Sequence, residues 1–408
     1  MRLARELCTI SVGVTFLYLV IITYSRGVGQ IRLEQLQTSS DYDYDLTEKS
    51  INIPQLRESS DNINPPAVPN DHLSLYPGAG VETDRIVEQL SYLPHTFPST
   101  PLKILIWQGL DAWGGIKPKE GDEVFHRESC PVTSCLLTGD QRQLDSSDLV
   151  IFRERAVEIK KRKGQLWMIF TLESPPHSHI TSTSLDWTAT YRRDSTIVAP
   201  YGAWRRYEDP GTWQDVHFNF AENKTKQVAW MVSNCNAKNN RLEYAKELGN
   251  FIGLDIYGGC GTNRCGKKDQ DCRAMLGRKY KFYLSFENSN CADYITEKFW
   301  NNALHHDMVP IVMGASIHDY EAVAPPNSFI HVDNFQGPED LAKYLHVLDQ
   351  DDDLYNEYFA WKGQGDFIAT KFFCRVCSLL HYSKQFQQNK FDIPTWWSGP
   401  GVCQKKRL

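Results

Sequence analysis

The stretch Phe282-Tyr-Leu-Ser-Phe-Glu287-Asn288-Ser-Asn-Cys-Ala-Asp293-Tyr294-Ile-Thr296-Glu297-Lys298 decides the fold class. An apolar, aromatic run breaks into a polar loop, and the loop runs into a helix start. Such a strand–loop–helix junction is where α/β proteins bind phosphorylated ligands, at the carboxyl end of a strand. Carboxylates, amides and one lysine crowd this junction, a combination that points to a nucleotide-sugar site. Asp293 is the expected helix N-cap.

Working outward, the neighbouring runs repeat the pattern. Lys103-Ile-Leu-Ile-Trp107, Leu149-Val-Ile-Phe152 and Leu166-Trp-Met-Ile-Phe170 are short buried-type strands, separated by polar, partly helical segments such as Arg155 to Lys163. A second set comprises Val228–Val232, Asp255–Tyr257, Lys281–Phe286, Val309–Met313 and Ser328–Val332. Between them Leu242–Phe251, Thr296–His305 and Glu339–Leu348 read as helices, the last with Glu339 and Asp340 in its first turn. The alternation predicts two α/β domains with a boundary near residues 207–227 and a ligand cleft between them.

The N-terminus predicts a compartment. Leu7 to Tyr24 is uncharged and apolar, and about 18 such residues reach the lower limit for a membrane-spanning helix. Arg2 and Arg5 precede it, which keeps the short N-terminus cytoplasmic. Only Ser25-Arg26-Gly27 follows, without a small-x-small cleavage pattern, so a retained signal anchor is favoured over a cleaved signal peptide. Residues 26–99, with Asp41-Tyr-Asp-Tyr-Asp45 and Asn64-Pro-Pro-Ala-Val-Pro69, lack sustained periodicity and read as a stem. Cys8 falls inside the apolar stretch, and the remaining 10 of 11 cysteines suit disulfides in an oxidising lumen. Asn223-Lys224-Thr225 is an N-glycosylation acceptor pattern. At 408 residues and a net charge of -6 the chain has no basic block of the kind nucleic-acid binders carry.

Several residues can carry chemistry. A reaction that releases a diphosphate needs cations where the negative charge grows. Lys298, opening a helix against the macrodipole, and Arg241, just after the strand that ends at Ser233-Asn234, meet that need; exposed helix-start cations are the plain alternative. Glu173 follows strand Leu166–Phe170 and can take a proton from an acceptor hydroxyl, or merely cap the loop before Pro175-Pro176. Cys374 and Cys377, with His381, suggest zinc, but disulfides with Cys130 and Cys135 are preferred; the connectivity stays open. Asp269-Gln-Asp271 and Asp349-Gln-Asp351 match the short Asp-x-Asp pattern of metal-using transferases and are read as solvated, leaving no metal ligand assigned.

Residues 282–298 closely resemble the signature of the alpha-1,3-fucosyltransferases. Leu172-Glu-Ser-Pro-Pro-His177, Thr190-Tyr-Arg-Arg-Asp-Ser195 with Pro200-Tyr-Gly202, and Phe329-Ile-His-Val-Asp333 agree with the same family, over roughly residues 100–385. Within the family the chain looks most like the invertebrate and plant-type core enzymes, on Tyr191-Arg-Arg-Asp194, the loop Cys260–Cys272 and Cys374-Arg-Val-Cys-Ser-Leu-Leu-His381. The histidine pair and tryptophan associated with Lewis-type members are missing after Val150, where Ile-Phe-Arg-Glu stands.

The resemblance implies a GT-B fold of two Rossmann-like domains. It divides the chain into a cytoplasmic tail (1–6), transmembrane anchor (7–25), stem (26–99), acceptor-side domain (100–215), GDP-fucose-binding domain (225–385) and C-terminal tail (386–408). It implies transfer of fucose from GDP-fucose, with inversion, to the innermost GlcNAc of N-glycans on glycoproteins. Lewis-type transfer to outer N-acetyllactosamine and a non-catalytic membrane-tethered lectin are the alternatives. By matching positions, Glu173 is the base, Arg241 and Lys298 hold the diphosphate, and Glu297, Tyr294, Asn288 and Glu287 line the pocket. No metal cofactor is implied as required, with manganese left open as a stimulant. The location implied is the Golgi membrane, single-pass, with the catalytic part lumenal.

Overall fold

The computed structural model describes residues 75–78, 83–111, 113, 117–213, 217–264 and 269–404. The cytoplasmic tail, the anchor, most of the stem and Lys405–Leu408 lie outside the described residues. Among the described residues no helix is long and apolar enough to cross a membrane.

Two separate parallel sheets organise the chain. The first runs, across its width, Cys135–Thr138, Leu102–Ile106, Leu149–Arg153, Leu166–Phe170, Trp187–Thr190 and Ile197–Val198. The second runs Ile330–His331, Val309–Met313, Tyr280–Phe286, Lys226–Met231 and Leu254–Tyr257. All neighbouring pairs within both are parallel. Strands buried on both faces read as continuous apolar runs, and Tyr280–Phe286 is buried at every position. The alternation is visible in where side chains go. Ile104, Ile106, Ile151 and Met168 enter one core, while Leu105, Val150, Phe152 and Trp167 enter another on the opposite face.

Sequence runs in both sets match observed strands, and the three anticipated helices appear as Arg241–Leu248, Pro338–Gln350 and a short turn over Lys298–Ala303. Three strands of the first sheet were not anticipated. Cys135–Thr138, Trp187–Thr190 and Ile197–Val198 are short, and the Trp187–Thr190 strand carries threonines at alternate positions. Those threonines are buried because they satisfy one another: Thr188 N donates to Thr196 Oγ1 at 3.1 Å, Thr196 N to Thr188 Oγ1 at 3.0 Å, and Thr190 Oγ1 meets Ser195 Oγ at 2.6 Å.

Two expectations need correction. Arg155–Lys163 forms no helix. Val157 and Ile159, two apart, pack on the first sheet's core, which is the period of an extended chain. Lys161 and Arg162 anchor the segment on Asp186 and on the Ser147 carbonyl. The stem also ends earlier than residue 99. Leu75 and Tyr76, with Ile86 and Leu90 of the helix Ile86–Ser91, are buried in the first core. Arg85 donates to the carbonyls of Arg193 and Ser195, and Gln89 to those of Leu75 and Thr196. A helix of six residues is too short to show periodicity, so nothing in the pattern announced it.

The helix Phe372–Tyr382, which follows the second sheet in the chain, returns to the first. Every one of its residues is buried, and it packs in the core under Leu102–Ile106. Disulfides Cys130–Cys374 and Cys135–Cys377 fasten it there, across 244 and 242 residues. The zinc reading of this cluster therefore fails: both sulfur pairs are joined to one another, and His381 Nε2 lies 3.0 Å from the Ser134 carbonyl. Replacing Cys135 and Cys377 together by alanine is expected to cost about 2–5 kcal/mol of stability, read from the shift of a denaturation midpoint. An unmoved midpoint would show that packing alone holds the helix.

Candidate active site

Glu173 stands in the loop after strand Leu166–Phe170, at that strand's carboxyl end. Its loop is held by its own neighbours. Tyr201 donates its hydroxyl to the Leu172 carbonyl at 2.8 Å, and a single helical turn, Pro175–His177, follows Ser174. Ser174 Oγ, buried, donates to Ser289 Oγ at 2.9 Å. That bond joins the Glu173 loop to the loop after Tyr280–Phe286, so the carboxyl ends of two strands, one from each sheet, face a common site.

The second side is built from residues 286–298. Glu287 immediately follows its strand and is fully buried. Its carboxylate accepts from Thr296 N at 2.8 Å and from Thr296 Oγ1 at 2.8 and 2.9 Å, and it lies 3.1 Å from Lys298 Nζ. Lys298 Nζ also donates to Thr296 Oγ1 at 2.8 Å and to Glu297 at 3.0 Å. Burial alone would depress the ammonium's pKa, but Glu287 and Glu297 raise it above the usual lysine value, so it stays charged. Burial raises the Glu287 carboxyl, with Lys298 opposing. Desolvation acts against the charge of Glu297, whose side chain is still partly exposed, yet Lys298 holds it below the ordinary carboxylate range. Lys298 opens a single turn of wide helix, Lys298–Ala303, a geometry often found at functional sites.

Arg241 begins the helix Arg241–Leu248, after Asn240 in a left-handed conformation that asparagine tolerates. It is 3% exposed and donates to the Phe286 carbonyl at 2.7 Å and the Asn234 carbonyl at 3.0 Å. Its Nε is buried without a partner, and no carboxylate pairs with it among the described residues. Burial lowers its pKa, opposed by Glu287, Tyr294 and Glu297. Its bond to the Phe286 carbonyl places the guanidinium at the end of the strand that Glu287, the partner of Lys298, directly follows. A buried cation held by neutral carbonyls, with an orphaned N–H, is chemically suited to an anion. Asn288, half-buried, has its Oδ1 unpartnered beside this locus in sequence.

Tyr294 links the two sides. Its hydroxyl donates to Glu173 Oε2 at 3.3 Å. Burial, with Glu287 and Glu173 adding negative charge, pushes the phenol well above its usual pKa, so it remains a donor. Direct contacts thus link Tyr294 to Glu173 and Lys298 to Glu287 and Glu297, with Arg241 fixed on the Phe286 carbonyl beside Glu287. Their placement differs in one respect from a simple lining: Glu287 is enclosed and braces Thr296 and Lys298.

Asp293 does not cap a helix. It sits at φ 59°, and its carboxylate accepts from Arg193 N at 3.0 Å and Arg193 Nε at 2.7 Å. Arg193 also reaches Asp319 at 3.4 Å. This ion pair, across 100 residues, wins over local capping. Arg193, Ser174, Ser289 and Asn239 are residues that sequence reasoning did not assign. Asn239 donates to the Glu287 carbonyl at 2.9 Å and to Asn290 Oδ1 at 3.0 Å. Arg193, Ser174 and Ser289 lay inside quoted motifs (Tyr191–Asp194, Leu172–His177 and Phe282–Lys298) without a role of their own; Asn239 had no signal. Asn223 lies exposed in a turn, as a glycosylation acceptor requires. Asp349 is not simply solvated: it accepts from Gln227 at 2.7 Å and lies 3.4 Å from Lys281 Nζ, while Asp351 caps the helix Asp352–Glu357. The side chains of Asp269 and Asp271 lie outside the described residues.

Comparison with known proteins follows the same division. The family model "Fucosyltransferase, N-terminal" matches residues 99–202, and "Glycosyltransferase family 10 (fucosyltransferase) C-term" matches residues 221–396. Glycoprotein 3-alpha-L-fucosyltransferase A of Drosophila melanogaster is 46% identical over 81% of this chain and 68% of its own length. The human 4-galactosyl-N-acetylglucosaminide 3-alpha-L-fucosyltransferase FUT6 is 37% identical over 66% of this chain and 77% of its own. A crystal structure of an alpha1,3-fucosyltransferase with GDP-fucose is similar at TM-score 0.46 and 18% identity, over 79% of this chain and 99% of that one. The two family matches and the identity to the fly enzyme, over two parallel α/β halves, define a glycosyltransferase. The chain belongs to glycosyltransferase family 10, the fucosyltransferases, and its activity is that of an alpha-1,3-fucosyltransferase.

Proposed function

We propose that the protein transfers L-fucose from GDP-β-L-fucose, with inversion, to the 3-hydroxyl of the innermost, asparagine-linked GlcNAc of N-glycans. The observation that supports this reading is the meeting of the Glu173 loop from one half with the Glu287–Lys298 loop from the other, through the Tyr294–Glu173 and Ser174–Ser289 hydrogen bonds. In a single displacement Glu173 accepts the proton of the acceptor hydroxyl as that oxygen attacks C1 of fucose from the face opposite GDP. The bond from C1 to the β-phosphate oxygen breaks, and its electron pair leaves with GDP. Lys298 and Arg241 neutralise the departing diphosphate. These protein cations do so without a metal, with manganese as an optional stimulant. Two Rossmann-like domains of GT-B type, with the donor on the second, are consistent with the two parallel sheets.

The core acceptor is favoured by one comparison. The chain shares more identity with the fly enzyme, whose name denotes a glycoprotein acceptor, than with the enzymes named for galactosyl-N-acetylglucosaminides. A membrane anchor over residues 7–25, a Golgi location and a lumenal catalytic part complete the reading, supported by the disulfides Cys130–Cys374, Cys135–Cys377, Cys235–Cys260 and Cys291–Cys403. The test is incubation with GDP-fucose and a defined N-glycopeptide, with mass spectrometry locating the new fucose and GDP release counted alongside. Fucose on the innermost GlcNAc is the expected product. Fucose on an outer N-acetyllactosamine would assign the Lewis-type reaction instead, and glycan binding without GDP release would mean a lectin.

A further inference from the structure

The C-terminal segment after residue 390 is more than a tail. The helix Ile393–Ser398 leads to a short strand, Cys403–Gln404, which pairs antiparallel with Asn290–Cys291 of the donor-side loop. Ala292 N donates to the Val402 carbonyl at 2.9 Å, and a disulfide joins Cys291 to Cys403. The segment is therefore fastened two residues ahead of Asp293 and three ahead of Tyr294. The family model match ends at residue 396, so most of this fastening lies beyond it.

From that anchor the segment reaches the opposite loop. Trp397 is fully buried, and its indole Nε1 donates to Ser178 Oγ at 3.3 Å. The Ser178 hydroxyl faces the carbonyls of Glu173 at 3.2 Å and Ser174 at 3.0 Å. Trp397 thus holds the backbone of Glu173 through one intermediary. Its ring also packs on Tyr191 at 5.7 Å between centroids, Tyr191 packs on Tyr294 at 4.9 Å, and Tyr294 donates to the Glu173 carboxylate. Two routes from one indole therefore end on one residue, on its main chain and on its carboxylate. Outside this pair of routes, Arg192 lies 4.3 Å over Trp396 and donates to its carbonyl, while Trp396 Nε1 donates to Asp194 at 2.8 Å, holding the helix against the first half.

We propose that residues 391–404 belong to the catalytic apparatus, with Trp397 as a positioning residue that sets the orientation of Glu173 and the Cys291–Cys403 disulfide as the lock that keeps it in place. This rests on Glu173 being the base. The diphosphate-binding residues Arg241 and Lys298 make none of these contacts, so loss of the brace affects turnover and not nucleotide binding.

The experiment uses the full chain carrying Trp397→Phe, Ser178→Ala or Cys403→Ser, and the first two again in a Glu173→Gln background. In the wild-type background each is expected to lower kcat by about ten- to hundred-fold, the cost of a misplaced reacting group. The KM for GDP-fucose and the calorimetric affinity for GDP stay unchanged, and retained GDP affinity also reports that the variant is folded. In the Glu173→Gln background Trp397→Phe and Ser178→Ala add no further loss, since residues acting as a unit are not additive. Wild-type kcat in Trp397→Phe and Ser178→Ala, or the same fractional loss with and without Glu173, overturns the proposal. Full turnover in Glu173→Gln alone is a different failure: it removes the base assignment, and this proposal with it.

Discussion

Glu173→Gln is expected to lower kcat by about 10²–10⁴-fold, the usual contribution of a positioned general base, while GDP affinity measured by calorimetry remains that of the wild type. The glutamine keeps the volume and can still accept a hydrogen bond from Tyr294, so the loop geometry that depends on Ser174, Ser178 and Tyr201 is preserved. What disappears is the capacity to take up the acceptor proton. Turnover within a few-fold of wild type would remove Glu173 from that role, because no other change of this size follows from the substitution.

Lys298→Ala carries two losses that a second substitution separates. The ammonium is 3.1 Å from the fully buried Glu287 and 3.0 Å from Glu297. Without it Glu287 is a buried carboxylate with only Thr296 as a near partner, and leaving one member of a buried pair behind costs about 3 kcal/mol. The same substitution removes one of two cations at the diphosphate locus, so GDP-fucose binding weakens as well. In Lys298→Ala with Glu287→Gln the buried charge is gone. The denaturation midpoint is expected to recover most of its loss, while GDP affinity stays low. If affinity returned together with stability, Lys298 would be a structural residue and the diphosphate would have to be neutralised elsewhere.

The elements that were legible in the sequence share a physical cause. Tyr280–Phe286 and Val309–Met313 are central strands of a parallel sheet, covered on both faces, and so carry uninterrupted apolar side chains. The loop at the end of Tyr280–Phe286 was legible because it concentrates groups that a fold seldom gathers without a ligand. Trp187–Thr190 was not, because its threonines find partners eight and five residues away that no local pattern announces. The helix Lys298–Ala303 was anticipated as part of a longer helix, Thr296–His305, with Asp293 as its N-cap. Asp293 instead answers to Arg193, a contact fixed only once both halves are folded. Glu287 was read as a pocket residue and proves to be enclosed under Thr296. Position next to a strand end cannot tell a carboxylate facing ligand from one facing the lysine beside it. Trp397, Ser178 and the Cys291–Cys403 bond had no signal at all, since each depends on the last fourteen residues described turning back across the site.

The return of Phe372–Tyr382 to the first sheet has a consequence for how the chain is made. Cys130 and Cys135 emerge early, but their partners lie 244 and 242 residues downstream. At ordinary rates of synthesis that interval lasts on the order of 10–50 s. Throughout it the underside of the first half stays open and its two thiols have no correct mate, so oxidation in the order of emergence gives the wrong bridge. In an oxidising compartment, correct pairing of these two cysteines therefore has to await the C-terminal part of the chain.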